Sequence, residues 1–274
     1  MASAPDSSDS RVGTVIADRY RITAKLGEGG MGAVYRGVHE SLRKPVALKF
    51  MVPSARSDAE LAQRFEREAV ATANLKHPNI SETTDYGQLP DGTLYLVMEC
   101  IDGKNLRELV ADGKLPPTRA LGIVKQIGAA LSFAHESDVV HRDLKPDNVI
   151  VFDRGSTSDI VKVIDFGIAR MKSSFGGGKT ALTQAGTVFG TPDYMAPEQA
   201  LGQAVDPRAD QYALGAIAYE LFTGKPPYAA DNTAALMFMH VGAPIPRVAD
   251  LASELSPQIS DVVARMMAKL PDER

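Results

Sequence analysis

Gly27-Glu28-Gly29-Gly30-Met31-Gly32, followed by Ala33-Val34-Tyr35-Arg36-Gly37-Val38-His39, is the stretch that decides the fold. Its glycines fit G-x-G-x-x-G, a spacing used by several loops that bind phosphate. A dinucleotide-binding unit requires a helix after the last glycine, whereas the run that follows here reads as a strand. A Walker-type loop requires Lys and Ser or Thr at that point, and Gly32 is followed by Ala33-Val34. What remains is a strand–glycine loop–strand cover whose backbone N–H groups can approach phosphates closely.

Working outward, "YRITAKL", "GAVYRGVHE", "PVALKFM" and, after the turn pair Asp91-Gly92, "TLYLVMEC" alternate with turn residues. They predict an antiparallel meander. One helical stretch, about Ser57 to Leu75, interrupts it and opens with a capping box of Ser57 and Glu60. Leu61, Phe65, Glu68 and Thr72 then share one face, where an inward carboxylate needs a partner. Lys49, inside the apolar strand "PVALKF", is the complementary anomaly. A Lys49–Glu68 ion pair would resolve both and would set an ammonium as a point charge for phosphate oxygens.

Beyond "IDGKNL" the period becomes helical. Leu121, Val124, Ile127 (or Gly128) and Leu131 predict one amphipathic helix. A second runs from an Asp206 cap and Pro207 to Gly224, with Pro226-Pro227 beyond. The expectation is an α+β, two-lobed chain: a small antiparallel β lobe with one helix over 17–98, a connector at 99–104, and a larger, mainly helical lobe over 105–274. Ligands favour the cleft between such lobes.

Composition sets limits. The 274 residues are 44% hydrophobic and 23% charged with a net charge of -4, an ordinary globular mixture with no basic stripe for nucleic acid. The single cysteine, Cys100, excludes an intramolecular disulfide or a cysteine-cluster metal site. No uninterrupted apolar run is long enough to span a membrane. The opening "MASAPDSSDS" lacks the order of a signal peptide, and residues 1–16 are expected to be a disordered tail.

Two further stretches carry chemistry. His141-Arg142-Asp143-Leu144-Lys145-Pro146-Asp147-Asn148 places charge between apolar runs, and Asp165-Phe166-Gly167 follows the apolar strand "IVKVI". Asn148 and Asp165 together offer hard oxygen ligands that suit Mg²⁺ carrying substrate phosphates.

The set Gly27–Gly32, Val34, Ala-Leu-Lys49, Glu68, "HRDLKPDN", "DFG" and Ala196-Pro197-Glu198 resembles the eukaryotic-type protein kinases. The resemblance covers nearly the whole chain and implies a role for each residue. Asp143 would accept the proton of the substrate hydroxyl, and Lys145 would neutralise charge on the phosphoryl group. Asn148 and Asp165 would hold Mg²⁺, or Mn²⁺ in its place. Lys49, held by Glu68, would anchor the ATP phosphates beneath Gly27, Glu28, Gly29, Gly30 and Gly32. Val34, Ala47 and Ile150 would form the adenine slot, with Met98 as gatekeeper and the backbone of Glu99, Cys100 and Ile101 on the base edge. Lys145-Pro146 and "GTPDYMAPEQ", with Thr191 beside Asp143, are similar to serine/threonine kinases. "TVFGTPDYMAPEQ" and "HRDLKPDNVIV" look closest to the bacterial receptor type.

The resemblance also implies regulation. Arg142 before Asp143 goes with activation-loop phosphorylation, expected at Thr183 or Thr187 by autophosphorylation. Thr72 and the polar Ser81–Thr84 depart from the family pattern and would loosen the small lobe toward an inactive resting state. Arg274 would pair with Glu198, and the chain would then stop before the family's last helix, as a cytoplasmic catalytic domain of a membrane-anchored parent. Protein substrates and pairing of two copies through the small lobe are the implied partners. A pseudokinase scaffold is the alternative, disfavoured because Lys49, Asp143 and Asp165 are all present. A small-molecule kinase is disfavoured by the complete "GTPDYMAPE" segment.

Overall fold

A computed structural model describes residues 9–29, 32–51, 59–166, 192–252 and 254–274. Among these, residues 9–76 and 81–101 form one compact unit, and 77–80, 102–166 and those from 192 onward form a second.

The first unit is built on a six-stranded antiparallel sheet. Its strands are β1 (Val15–Ile16), β2 (Tyr20–Gly29), β3 (Gly32–His39), β4 (Lys44–Met51), β5 (Thr83–Gln88) and β6 (Leu94–Glu99), ordered β1-β2-β3-β4-β6-β5. The expected meander is therefore present, with helix α1 (Ala59–Ala73) inserted between β4 and β5. Alternation gives the sheet two distinct faces. Tyr20, Ile22, Tyr35, Val46, Leu48, Phe50, Tyr95 and Val97 form the buried core of one. On the other, Val34 lies opposite Lys49, and Ala47 lies between Arg36 and Met98.

At the turn between β2 and β3, Gly29 pairs with Gly32. Gly32 has φ +141°, and a Cβ there would stand 1.9 Å from the Phe50 carbonyl oxygen, so only glycine fits. A Cβ at Gly27 or Gly29 would meet nothing within 4 Å. These two glycines leave open space above the backbone.

Three features differ from the sequence reading. Residues 9–16, expected within a disordered tail, are folded onto the small sheet. Ile16 is buried, Val12 packs against the core, and the Arg11 guanidinium stacks 4.5 Å from the Phe50 ring centroid. Short polar composition concealed this, because the segment is held by hydrogen bonds and two apolar anchors. Second, the polar stretch around Thr83 forms β5 at the sheet edge. The ladder pairs its backbone, and the Thr84 hydroxyl donates to the Val97 carbonyl at 3.3 Å. Third, the buried stripe of α3 (Pro117–Glu136) is Ala120, Ile123, Ile127, Ala130, Leu131 and Ala134, while Leu121 is exposed. The true stripe includes small alanines, so tracking only large residues shifts the helical phase. The Ser57–Glu60 box lies outside the described residues.

The second unit pairs a three-stranded antiparallel sheet, β7 (Lys104–Asn105), β8 (Val149–Arg154) and β9 (Thr157–Val163), with helices. These are α2 (Leu106–Val110), α3, α4 (Pro197–Ala200), α5 (Pro207–Thr223), α6 (Thr233–Gly242) and α7 (Pro257–Met266). Helix α5 starts and stops as its sequence predicts. The Asp206 carboxylate accepts from the Arg208 N–H at 2.9 Å, and Gly224 ends the helix at φ +77°. It is buried from Ala209 to Phe222, with α3 and α7 packed on it. His77–Ile80 belongs to this unit, because Val163 N–H donates to the Asn79 carbonyl and the Asn79 amide to Gln126 and Val161.

Candidate active site

The charged stretch at 141–148 enters from the end of α3 and leaves into β8. Its core is one side chain that the motif reading did not single out. Asp210 on α5 is 1% exposed. One carboxylate oxygen accepts from the His141 N–H at 2.7 Å and from the His135 ring at 2.8 Å, and the other from the Arg142 N–H at 2.8 Å. Arg142 has φ +65°, a left-handed conformation that costs a non-glycine residue roughly 1–2 kcal/mol. The two charge-assisted bonds offset that strain and fix the loop's direction. The Arg142 carbonyl is held from the other side by the Gln199 amide at 2.7 Å.

His141 is fully buried and its tautomer is set by its partners. Nδ1 accepts from the Asp143 N–H at 3.3 Å, so Nε2 carries the proton and donates to the Ile164 carbonyl at 2.9 Å. Its ring meets Phe166 edge-on at 4.8 Å. The loop and the end of β9 are thereby locked together.

Within this frame the expected residues converge. Lys145 Nζ lies 3.3 Å from the Asp143 carboxylate, and the Asn148 amide nitrogen donates to the Asp143 carbonyl at 2.8 Å. That bond occupies the donor end of Asn148 and leaves its oxygen as the end able to ligate a cation. Ile164 N–H donates to the Asn148 carbonyl at 2.9 Å, bringing Asp165 beside Asn148. Asp165 itself has φ +66°, a second constrained residue at the same place. An amide oxygen and a carboxylate form a hard donor pair that suits a divalent cation completed by phosphate oxygens. No cluster of three His, Cys, Asp or Glu able to hold a metal occurs among the described residues.

Beside this loop lies a second ionisable network. Tyr194 donates to the Glu220 carboxylate at 2.5 Å, and Arg107 bridges Glu220 at 3.3 Å and Asp147 at 3.5 Å. Burial pushes the Glu220 carboxyl up, against the pull of Tyr194 and Arg107. Burial and then the Glu220 charge push the Tyr194 phenol up. A depression lined by Asp143, Lys145, Tyr194 and Gln199 opens here. In the same unit Arg274 grips Glu198 through two bonds of 2.6 and 2.7 Å, as expected, with both side chains buried.

In the first unit, strand register puts the remaining candidates together. Gly27, Val34, Lys49, Ala47 and Met98 lie on the sheet face away from the aromatic core. Helix α1 covers the same face, since Phe65 packs against Tyr86, the partner of Leu96 next to Lys49 in register. Glu68 and Lys49 are each half-buried. Thr72, small and polar where a brace is expected, is buried with its hydroxyl donating to the Glu68 carbonyl at 2.6 Å. Glu28 is exposed and stands on the opposite, core-side face, paired with Ala33. Met98 is buried, and Glu99, Cys100 and Ile101 follow half-buried at the end of this unit. Ile150 is half-buried on β8 of the second unit. Gly30, Thr183, Thr187 and Thr191 lie outside the described residues.

Residues 20–274 match the family model described as protein kinase domain. The chain is 42% identical over 273 residues to serine/threonine-protein kinase pkn3 of Myxococcus xanthus, covering 98% of this chain and 50% of that protein. It is 39% identical over 264 residues to serine/threonine-protein kinase PknB of Mycolicibacterium smegmatis, covering 94% of this chain and 41% of that protein. The chain thus spans half or less of these curated relatives. The crystal structure of the Mycobacterium tuberculosis PknI kinase domain superposes with a TM-score of 0.71 at 31% identity, over 100% of this chain and 94% of that one.

Proposed function

This chain belongs to the protein kinase family, and on that premise we propose that it transfers the γ-phosphoryl group of ATP to serine and threonine hydroxyls of proteins. The observation that carries this reading is the arrangement of Asp143, Lys145 and Asn148 on a loop pinned by Asp210. Asp143 accepts the proton of the attacking hydroxyl and orients its oxygen in line with the phosphorus. Lys145, already beside that carboxylate, compensates charge on the transferring group. Asn148 and Asp165 would hold a divalent cation, Mg²⁺ or Mn²⁺, whose charge would offset that of the phosphates. Lys49, steadied by Glu68, grips the phosphates, and the open space over Gly27 and Gly29 admits them. Val34, Ala47, Met98 and Ile150 supply apolar surface for adenine, and Thr191 orients the acceptor. Most of the rate is positioning and electrostatics, which a loop fixed in advance supplies.

The same reading includes autophosphorylation at Thr183 or Thr187, with Arg142 as partner for the phosphate. It also includes protein substrates and pairing of two copies through the small lobe. A scaffold without catalysis is disfavoured because Lys49, Asp143, Asn148 and Asp165 are all retained. The test is phosphate transfer from labelled ATP to an unstructured acceptor protein rich in serine and threonine, with Mg²⁺ and with EDTA. Labelling of serine or threonine that needs the cation supports the reading. Cation-dependent ATP binding without any transfer supports the scaffold instead.

A further inference from the structure

The folded amino-terminal segment carries a contact that phosphoryl transfer as described above does not use. Asp9 sits under the first arm of the glycine-rich loop. Its Oδ2 accepts from the Tyr35 hydroxyl at 2.9 Å and lies 3.1 Å from Lys25 Nζ, while Oδ1 accepts from the Arg11 N–H at 3.0 Å. The same Lys25 ammonium reaches the Glu28 carboxylate at 2.6 Å. Lys25 and Tyr35 are directly opposed in the β2–β3 ladder, so the three side chains meet at one place on the core-side face.

The Lys25–Glu28 contact depends on a local irregularity. Residues three apart on a regular strand point to opposite faces. Between Lys25 and Gly27 the register slips by one residue, because Leu26 has no partner on β3. This bulge returns Glu28 to the face of Lys25. Side-chain exposure falls from 66% at Glu28 through 27% at Lys25 to 16% at Asp9, so the covered end of the chain of charges lies in the amino-terminal segment. That end is firmly seated. Gly13 N–H donates to the Ile22 carbonyl and Ile22 N–H to the Thr14 carbonyl, both at 2.9 Å. Arg11 stacks on Phe50, and Val12 packs into the aromatic core. The Arg11 amide, the Tyr35 hydroxyl and Lys25 hold the Asp9 carboxyl below its ordinary range, in keeping with a charged anchor.

We propose that Asp9 is a positioning residue for nucleotide: through Lys25 it holds Glu28 and so fixes the arm of the glycine-rich loop from Lys25 to Gly29. Residues 9–14 are then a strap that sets how readily the loop settles on phosphates, acting from the side of the sheet away from Val34 and Lys49. The proposal rests on the kinase reading for its functional consequence, and its structural half stands without it.

Asp9→Asn and Asp9→Glu test it in the full chain. Hydrogen exchange without nucleotide comes first. Asp9→Asn should speed exchange of the amides from Lys25 to Gly29 with no change in the Leu94–Glu99 strand. Unchanged exchange at the loop overturns the strap whatever the activity. Steady-state kinetics then separate positioning from folding. Breaking this partly covered ion pair should raise KM for ATP by about two- to fivefold with kcat preserved, and Asp9→Glu should restore it. The difference from wild type should narrow only in part at about 1 M salt, because a partly covered pair is screened less than an exposed one. Faster exchange across the whole sheet, or equal loss of kcat in both variants, would mean a general packing role and sink the proposal. Should the wild type bind ATP without transferring phosphate, KM gives way to the Kd for ATP, and the same shift is required. A wild type that binds no ATP refutes the kinase reading and, with it, the functional half of this proposal.

Discussion

Removing Arg274 should cost the second unit more than any exposed ion pair could. The guanidinium is fully buried and spends its donors on two oxygens of Glu198 and on the carbonyls of Ala268, Arg208 and Lys269. It also stacks 5.0 Å from the Tyr212 centroid. Arg274→Met keeps the apolar stem but leaves the Glu198 carboxylate, 4% exposed, without its countercharge. Breaking a buried pair on one side costs about 3–5 kcal/mol. For a chain of this size each kcal/mol lowers Tm by roughly 2–4 °C, so the expected loss is roughly 12 °C. Thermal unfolding by circular dichroism measures it. The double variant Glu198→Gln/Arg274→Met removes the orphaned charge and should recover at least half of the loss. A single variant that melts within about 2 °C of wild type, or a double variant no better than the single, would refute burial of an unpaired charge as the dominant effect.

Asp210→Asn presents one amide nitrogen to backbone N–H groups that need two acceptors. Phosphoryl transfer should fall by roughly 100-fold, with ATP affinity kept, as initial rates and calorimetry would show. His240 is fully buried on α6, and desolvation, with Lys269 nearby, pushes it down to about 4 from an ordinary 6.5. Its folded form stays neutral while the unfolded form takes up a proton, so its contribution is present above pH 6.5 and lost toward pH 4. Wild type should lose about 3 kcal/mol relative to His240→Asn across that window, by urea denaturation at several pH values; parallel pH curves would contradict this. Gly32→Ala should destabilise by about 1–3 kcal/mol, since its φ and the Phe50 carbonyl both forbid a Cβ, whereas Gly29→Ala should stay within about 0.5 kcal/mol. Equal melting temperatures for these two variants would contradict that contrast.

Much of the architecture was legible in local signals. A strand after the glycine loop, the Asp91-Gly92 turn and the Asp206–Gly224 punctuation each act through nearest neighbours, and each appears in the structure as read. What escaped depends on contacts distant in sequence. Residues 9–16 look like a tail because their partners, Phe50, Tyr35 and Lys25, come from later strands. Strand β5 departs from the apolar pattern because it lies at the sheet edge, where the ladder pairs its backbone and the Thr84 hydroxyl donates to the Val97 carbonyl. Asp210 is the instructive omission. The argument that singles out Glu68, a carboxylate on a face that should be apolar, applies equally to "ADQYALGAIAYELF", where Asp210 and Glu220 lie in a helix buried almost all round. Such residues are visible once the helix is known to be central, and its centrality is a property of the fold.

In the proposed reaction Asp143 receives the hydroxyl proton. The most direct measurement is intact mass of the purified chain after incubation with ATP and Mg²⁺, beside Asp143→Asn. Phosphate should be added to serine or threonine in the wild type alone, while both proteins bind ATP with similar affinity. Equal phosphate gain in Asp143→Asn, or none in a wild type that binds ATP and Mg²⁺, would contradict it.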